Sequence, residues 1–262
     1  TAPGMTRLCV GVGAVAALLL SCSDDTGETN PGPDGVTISG VISQAPLGNP
    51  LVGAEVCAFD PPGECSTTDT DGKYSVAKVP KNTHVEFHVT NPGFISALGV
   101  FNVKDVDRTD VNAALLDQAI GVGLFQDAGI TYDPSKGAVL LAASDPAVGH
   151  GSSGYAATLT PSAGEGPFYT SATSVLPDAT ETTDSGAFSF INLPDGDYTL
   201  EVTGPGECTS DLTLANGPSS WPAVVRAGFI SYLVAECPDG APGVGGSGGA
   251  GGAGGAGGAG GN

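Results

Sequence analysis

Short runs of alternating apolar and polar residues, separated by turns, fill most of the sequence between residues 36 and 238. In the first run, VTISGVI, Val36 and Ile38 fall on one face of an extended chain, while Thr37 and Ser39 fall on the other. Gly, Pro and Asp separate the runs, which recur at roughly ten-residue spacing, and this pattern predicts β-sandwiches. The predicted strand segments are 36–42, 53–59, 73–79, 83–89, 94–103, 138–143, 154–161, 187–193, 197–203, 210–215 and 226–237.

One motif occurs twice, as TDTDGKYSVAKVP at 68–80 and as TDSGAFSFINLP at 183–194. Each copy has a Gly (Gly72 and Gly186) that suits a turn with positive φ, and a Pro that ends a strand. We expect the aromatic residue and the apolar residue two positions later to face a core, and the Ser between them to face solvent. In order, these residues are Tyr74, Val76 and Ser75 in the first copy, and Phe188, Phe190 and Ser189 in the second.

The motifs resemble those of the carboxypeptidase regulatory-like family of transthyretin-like sandwiches, which is akin to the B repeats of bacterial surface adhesins. The resemblance rests on GAEV at 53–56, on the T-D-x-x-G-x-aromatic pattern that ends at Tyr74, and on LPDGDYTL at 193–200. The first copy departs from the family at 80–85, which is one residue longer, and the second offers only GYAA at 154–157 for the GAEV motif. The resemblance implies the fold in two copies, but no particular activity.

The chain is therefore predicted to be all-β, with two antiparallel Greek-key β-sandwich domains at 36–104 and 135–238. The connector at 105–134 contains a predicted helix at 110–120, with Asp110 as its cap. Residues 22–35, which have no apolar period, and 239–262, which end in a Gly-rich repeat, are predicted to be disordered. The helix prediction rests on Val111, Ala114, Leu115 and Ala119 at helical spacing, followed by Gly121 and Gly123 as stops.

The start of the sequence has the features of an export signal. Arg7 precedes thirteen apolar or small residues, which are too few to span a bilayer, so residues 1–21 are predicted to be a signal peptide. LLSC, ending at Cys22, resembles the bacterial lipobox, which implies a lipid on Cys22 and a partner in the membrane. Ser23 after the cysteine then points to the outer membrane, on its periplasmic face or at the cell surface. The alternative is a plain signal peptide with an incidental cysteine.

Four cysteines remain outside the signal segment: Cys57, Cys65, Cys208 and Cys237. An even number of cysteines in an exported protein indicates disulfides, and three pairings are open. Proximity within each predicted domain favours Cys57–Cys65 and Cys208–Cys237. Zinc is the alternative, but the sequence has no CxxC pair, so we predict no metal site here.

The charge balance disfavours two kinds of binding partner. Asp and Glu number 28 against 8 Lys and Arg, for a net charge of −20. Such an excess disfavours nucleic acid and direct electrostatic adhesion to anionic lipid.

Three motifs that could carry chemistry have simpler interpretations. A calcium loop starting at Thr67 would place Lys78 where the ion needs a carboxylate, so turn chemistry is favoured. His84, Glu86 and His88 alternate along one strand, which favours a solvated face over a metal site. GHGSSG at 149–154 precedes a strand rather than the helix that would hold a phosphate. We therefore predict no catalytic residues, no cofactor and no enzymatic activity.

Aromatic residues in predicted loops are the remaining candidates for binding. Trp221, Phe168 and Tyr169 are predicted to lie in loops of the second domain, where an exposed ring could stack on a glycan or a peptide. The alternative for Trp221 is that it caps the core. The leading hypothesis is a lipid-anchored, non-enzymatic structural or adhesive module of the bacterial envelope, with an envelope protein or glycan as partner. The second is a glycan- or peptide-binding lipoprotein.

Overall fold

The computed structural model describes residues 35–145, 150–171, 174–210 and 216–238, which contain seventeen strands and one helix. The first part holds β1 (Val36–Ala45), β2 (Asn49–Pro50), β3 (Glu55–Asp60), β4 (Cys65–Thr67), β5 (Lys73–Val79), β6 (Thr83–Thr90), β7 (Ser96–Val103) and β8 (Ala113–Leu116). Helix α1 (Gln118–Asp127) follows. The second part holds β9 (Gly137–Asp145), β10 (His150–Gly151), β11 (Ala156–Thr160), β12 (Glu165–Thr170), β13 (Val175–Leu176), β14 (Ala187–Leu193), β15 (Gly196–Thr203), β16 (Ser220–Val225) and β17 (Phe229–Glu236).

The all-β prediction with one short helix is confirmed. The signal segment, Cys22, residues 22–34 of the predicted tether and 239–262 lie outside the described residues, as do residues 211–215 of one predicted strand. Strands β8, β12 and β16 were not predicted from the sequence, and neither were the strands of two or three residues, β2, β4, β10 and β13.

Three sheets build the molecule. A ten-stranded sheet runs in the order β13-β12-β14-β9-β17-β7-β6-β3-β4, with β10 paired to β9. A four-stranded sheet of β2, β1, β5 and β8 covers the first part, and a three-stranded sheet, β11-β15-β16, covers the second. The first and second parts, which the sequence analysis separates at the connector 105–134, therefore both contribute strands to the ten-stranded sheet.

Two of the three hydrophobic clusters in the described residues, the cores of the first and second parts, lie on opposite faces of this shared sheet. The third and smaller cluster includes Ile95 and Ile230 and packs against Val122 and Phe125 of α1. On β17, Leu233 and Ala235 belong to the core of the second part, whereas Tyr232 packs against the core of the first part. Successive residues of a strand point to opposite faces, so β17 supplies side chains to both cores. Each core keeps its own covering sheet, and β17 joins them.

Three strand pairs correct the expectation of purely antiparallel sheets. Strand β17 runs parallel to both of its neighbours, pairing Phe229 with Ser96 on β7 and Ile230 with Ala138 on β9. Strand β8 runs parallel to β1. Parallel neighbours need long crossover connections, and the connection from β7 to β17 contains most of the second part. Alternation in a sequence shows which residues share a face, but not which strands become neighbours.

The helix prediction was wrong in position. Residues 113–116 form β8, and the helix starts at Gln118, where Asp117 Oδ1 accepts hydrogen bonds from the N–H groups of Ala119 (2.9 Å) and Ile120 (3.2 Å). Ala114 and Leu115 point to opposite faces of β8, and both are buried because both faces of this strand are covered. Two consecutive apolar residues therefore occur in a strand, and in the sequence they resemble the apolar face of a helix. Gly121 lies inside the helix, where a Cβ would approach Ile95 Cδ1 to 2.7 Å, so its small size allows the helix to pack closely.

The repeated motif is architectural in both copies. Gly72 and Gly186 have φ of 74° and 65°, and each accepts a hydrogen bond at its carbonyl from a neighbouring strand. The aromatic and apolar residues after each Gly are buried, as predicted, and Ser75 is exposed. The prediction for Ser189 was wrong, since it is 5% exposed. Strand β14 is an interior strand, so both of its faces are covered.

We expect Gly72→Ala to lower the free energy of unfolding by about 2 kcal/mol, measured by urea denaturation. A Cβ at Gly72 would lie 2.5 Å from the Ile42 carbonyl oxygen, in addition to the strain of a positive φ. Gly53→Ala is the matched control, because Gly53 has a φ of 76° with nothing within 4 Å of the added Cβ. Gly53→Ala should lower the free energy of unfolding by about 1 kcal/mol, which is the strain of the positive φ without a steric clash. Equal losses for both variants would contradict the steric argument.

Candidate functional site

The three aromatic candidates do not form an exposed group. Trp221 lies in β16 and is 1% exposed, and Tyr169 lies in β12 and is 2% exposed, with its hydroxyl accepting a hydrogen bond from Ala157 N at 3.1 Å. Phe168 lies on the opposite face of β12, partly buried, with its ring centroid 6.0 Å from that of Phe125. The predicted loop positions were therefore wrong, and the premise of an exposed stacking ring fails for Trp221 and Tyr169. The strand was missed because Pro222 suggests a loop, yet Pro is tolerated on an edge strand such as β16.

The two loop motifs have structural roles. In the first, Asp69 Oδ1 accepts hydrogen bonds from Asp71 N and Lys73 N, both at 2.9 Å, so its carboxylate closes the turn. In the second, His150 and Gly151 pair with β9 as β10, and Ser152 Oγ donates to the Cys237 carbonyl oxygen at 2.5 Å. Both segments hold strands in place.

Strand β6 holds polar side chains that the sequence analysis assigned to a solvated face. That expectation holds for His84, which is exposed, but was wrong for Glu86 and His88, which are 4% and 9% exposed. They lie on the face of β6 opposite to Val85 and Phe87, away from the core of the first part. A buried carboxylate requires a compensating partner.

Arg226 provides that partner. Its Nη2 donates to Glu86 Oε2 at 3.0 Å, and Glu86 Oε1 lies 2.6 Å from His88 Nε2. Arg226 comes from the turn between β16 and β17, and its Nη1 also donates to the Val225 carbonyl oxygen at 3.2 Å. We call Glu86, His88 and Arg226 the junction triad, because it connects the outer face of the first part to the second part.

Aromatic rings cover the histidine of the junction triad. The His88 ring stacks on Phe59, with centroids 4.1 Å apart and planes at 11°, and Phe229 contacts it at 4.4 Å. Phe59 is itself 53% exposed. With Nε2 directed at Glu86 and rings against it, the histidine is held in one position. The arrangement suits a clamp between strands better than proton transfer to a substrate.

A cleft of about 70 Å³ lies on the other side of the shared sheet. Phe87, Phe101 and Tyr232 line it, and Asp110 stands among its polar groups. Two hydrogen bonds from the Arg108 guanidinium, at 3.0 and 3.1 Å, lower the pKa of the Asp110 carboxyl. Burial raises the pKa of the phenol of Tyr232, and likewise that of Tyr74, which donates to the Val111 carbonyl oxygen at 2.6 Å. These phenols therefore stay protonated and neutral.

The structure joins Cys57 to Cys65 and Cys208 to Cys237, the pairs favoured by the sequence. Glu55 lies beside the first pair, and its carboxylate and the two sulfurs lie within 4.8 Å of one another. Both sulfurs are bonded in the disulfide, so this cluster has no thiolate to offer a metal ion. In the described parts of the chain, no helix is long and apolar enough to cross a membrane.

Comparison with known proteins gives one family match. Residues 37–116, which span β1 to β8, match the carboxypeptidase regulatory-like domain, so the resemblance seen in the sequence is confirmed for the first part. For residues 135–238 it stays a prediction. No curated protein sequence matches the chain.

Several solved structures are similar to this chain at low identity. The minor pilin GBS52 of Streptococcus agalactiae shares 14% identity over 78% of this chain and 96% of that chain, with a TM-score of 0.27. The shaft pilin SpaA of Lactobacillus rhamnosus GG shares 14% over 77% of this chain and 96% of that chain, with a TM-score of 0.23. The Bacillus anthracis TIE protein shares 12% over 77% of this chain, with a TM-score of 0.26, and this chain spans 33% of its length.

Proposed function

We propose that this chain is a non-enzymatic structural or adhesive module of the bacterial cell envelope, held at the outer membrane by a lipid on Cys22. The observation that carries the structural role is the shared ten-stranded sheet. Inter-domain contacts within a chain usually leave domains free to move relative to each other. Here the backbone pairing of β17 with β7, from Phe229 beside Ser96 to Ser231 beside Leu98, joins the second part to the first, so the two parts form one stiff unit.

The placement of the polar groups supports the same role. Glu86 and Arg226 bind each other across the junction, and the phenol of Tyr74 binds a backbone carbonyl of the first part. The polar groups of the buried Glu86 and Tyr74 side chains thus make contacts within the protein that hold strands together. A stiff unit on a polar tether would present its surface to an envelope protein or glycan within a distance from the membrane that the length of the tether limits.

Lipid anchoring is supported by the lipobox-like LLSC sequence and is tested by substitution. We expect full-length chain expressed in a Gram-negative host to incorporate an alkyne-tagged palmitate and to fractionate with membranes. Cys22→Ser should abolish palmitate labelling and release the protein from the membrane fraction. Cys9→Ser, the matched control within the same segment, should keep both the label and the membrane association. Label that persists in Cys22→Ser would contradict the anchor.

The released Cys22→Ser protein should also unfold in a single thermal transition, and two separated transitions would contradict the stiff unit instead.

A further inference from the structure

The two disulfides of this chain have opposite surroundings. Cys208 and Cys237 are 1% and 0% exposed and belong to the core of the second part. Cys65 is exposed and Cys57 is half-buried, and neither belongs to a hydrophobic core. Breaking the Cys57–Cys65 bond therefore removes no core contact.

The position of the Cys57–Cys65 bond makes it accessible. Cys57 on β3 and Cys65 on β4 are direct partners in an antiparallel pair. Strand β4 has three residues and ends the order of the ten-stranded sheet, so among the described strands none pairs beyond it in that sheet. A molecule in solution can thus reach Cys65 from the side. Ser66 on β4 also accepts a hydrogen bond from Ser75 N at 3.2 Å, which keeps the strand attached when the disulfide opens.

We propose that Cys57–Cys65 is a thiol–disulfide exchange site for small thiols in the surrounding solution. The thiolate of an incoming thiol attacks Cys65 Sγ and forms a mixed disulfide, while the Cys57–Cys65 bond breaks and its electron pair leaves on Cys57 Sγ, which takes a proton from water. A second thiolate attacks the outer sulfur of the mixed disulfide and releases Cys65 as a thiolate. Two thiols are oxidised to one disulfide, and the protein disulfide is reduced by two electrons.

Glu55 determines which thiols react. It is exposed, and its carboxylate lies within 4.8 Å of the two sulfurs. A negative charge at this distance repels an approaching anion and attracts a cation. The site therefore favours thiols with a positive group, such as cysteamine, over thiols with a carboxylate, such as thioglycolate.

The first test uses the second disulfide as an internal control. The folded full-length chain is incubated with cysteamine, quenched with an alkylating reagent and read at each cysteine by peptide mass spectrometry. We expect Cys57 and Cys65 to be modified at least about 100-fold faster than Cys208 and Cys237, because the buried pair reacts only after local unfolding. Equal rates for the two pairs, or no reaction at either without denaturant, would overturn the proposal.

The second test measures selectivity and distinguishes an exchange site from mere exposure. We expect Glu55→Gln to reduce the ratio of the cysteamine rate to the thioglycolate rate by about threefold at low ionic strength, and less at high salt. Glu181→Gln, which neutralises an exposed acid of the second part, should leave the ratio unchanged. An unaltered ratio in Glu55→Gln would overturn the assigned selectivity.

Discussion

Arg226→Met is expected to lower the free energy of unfolding by about 3 kcal/mol, which is the low end of the range for removing one member of a buried ion pair. Glu86 is 4% exposed and would lose the guanidinium that now binds it, keeping only the contact of its Oε1 with His88 Nε2. The loss is at the low end because the Arg226 side chain is 33% exposed, so water already reaches part of the pair. Urea denaturation followed by circular dichroism measures the change.

Two further variants distinguish the effect of leaving the buried Glu86 without its guanidinium partner from the effect of losing any arginine. Arg108→Met removes the guanidinium that binds Asp110, but both side chains of that pair are partly exposed, so we expect a loss of about 0.5 kcal/mol. The double variant Glu86→Gln/Arg226→Met should be more stable than Arg226→Met, because no unpaired charge remains buried. If Arg226→Met loses no more than Arg108→Met, the junction triad does not clamp the two parts together.

The sequence identified local features reliably. Alternation and turn residues depend on near neighbours in the chain, so the faces of Tyr74, Val76, Phe188 and Phe190 could be predicted from short segments. Both favoured disulfides follow the same logic, since each joins cysteines within one predicted domain. The helix was misplaced for a related reason. A strand buried on both faces, such as β8, has no alternation to show, and its apolar residues were interpreted as one face of a helix.

The junction triad could not be predicted from local sequence patterns. Glu86 and His88 have the polarity of surface residues, and the group that makes their burial tolerable is 140 residues away in sequence. One signal was available: Arg226 is the only Lys or Arg after residue 136, in a stretch rich in acids. Such a residue is a good candidate for an ion pair, but composition does not specify the carboxylate. The partner depends on the insertion of β17 between β7 and β9, which no local pattern encodes.

Trp221→Ala is expected to have the largest effect, a loss of about 4 kcal/mol in the free energy of unfolding. Trp221 is 1% exposed, belongs to the core of the second part and pairs with Leu200 across the three-stranded sheet. Alanine would leave a cavity that the sandwich cannot close, because β15 and the shared sheet are fixed on either side. A loss of this size is a large fraction of the stability of an ordinary domain.

Trp221→Phe is the matched control, because it keeps an aromatic ring in the core. Among the described residues the indole Nε1 has no hydrogen-bond partner, so Trp221→Phe loses volume but no described hydrogen bond, and we expect it to lower the free energy of unfolding by about 1 kcal/mol. Since Trp221 is the only tryptophan, far-ultraviolet circular dichroism must follow unfolding in both variants. A loss below about 1 kcal/mol for Trp221→Ala would mean that the ring does not pack in the core. That result would restore the loop placement and direct the search for a ligand back to Trp221.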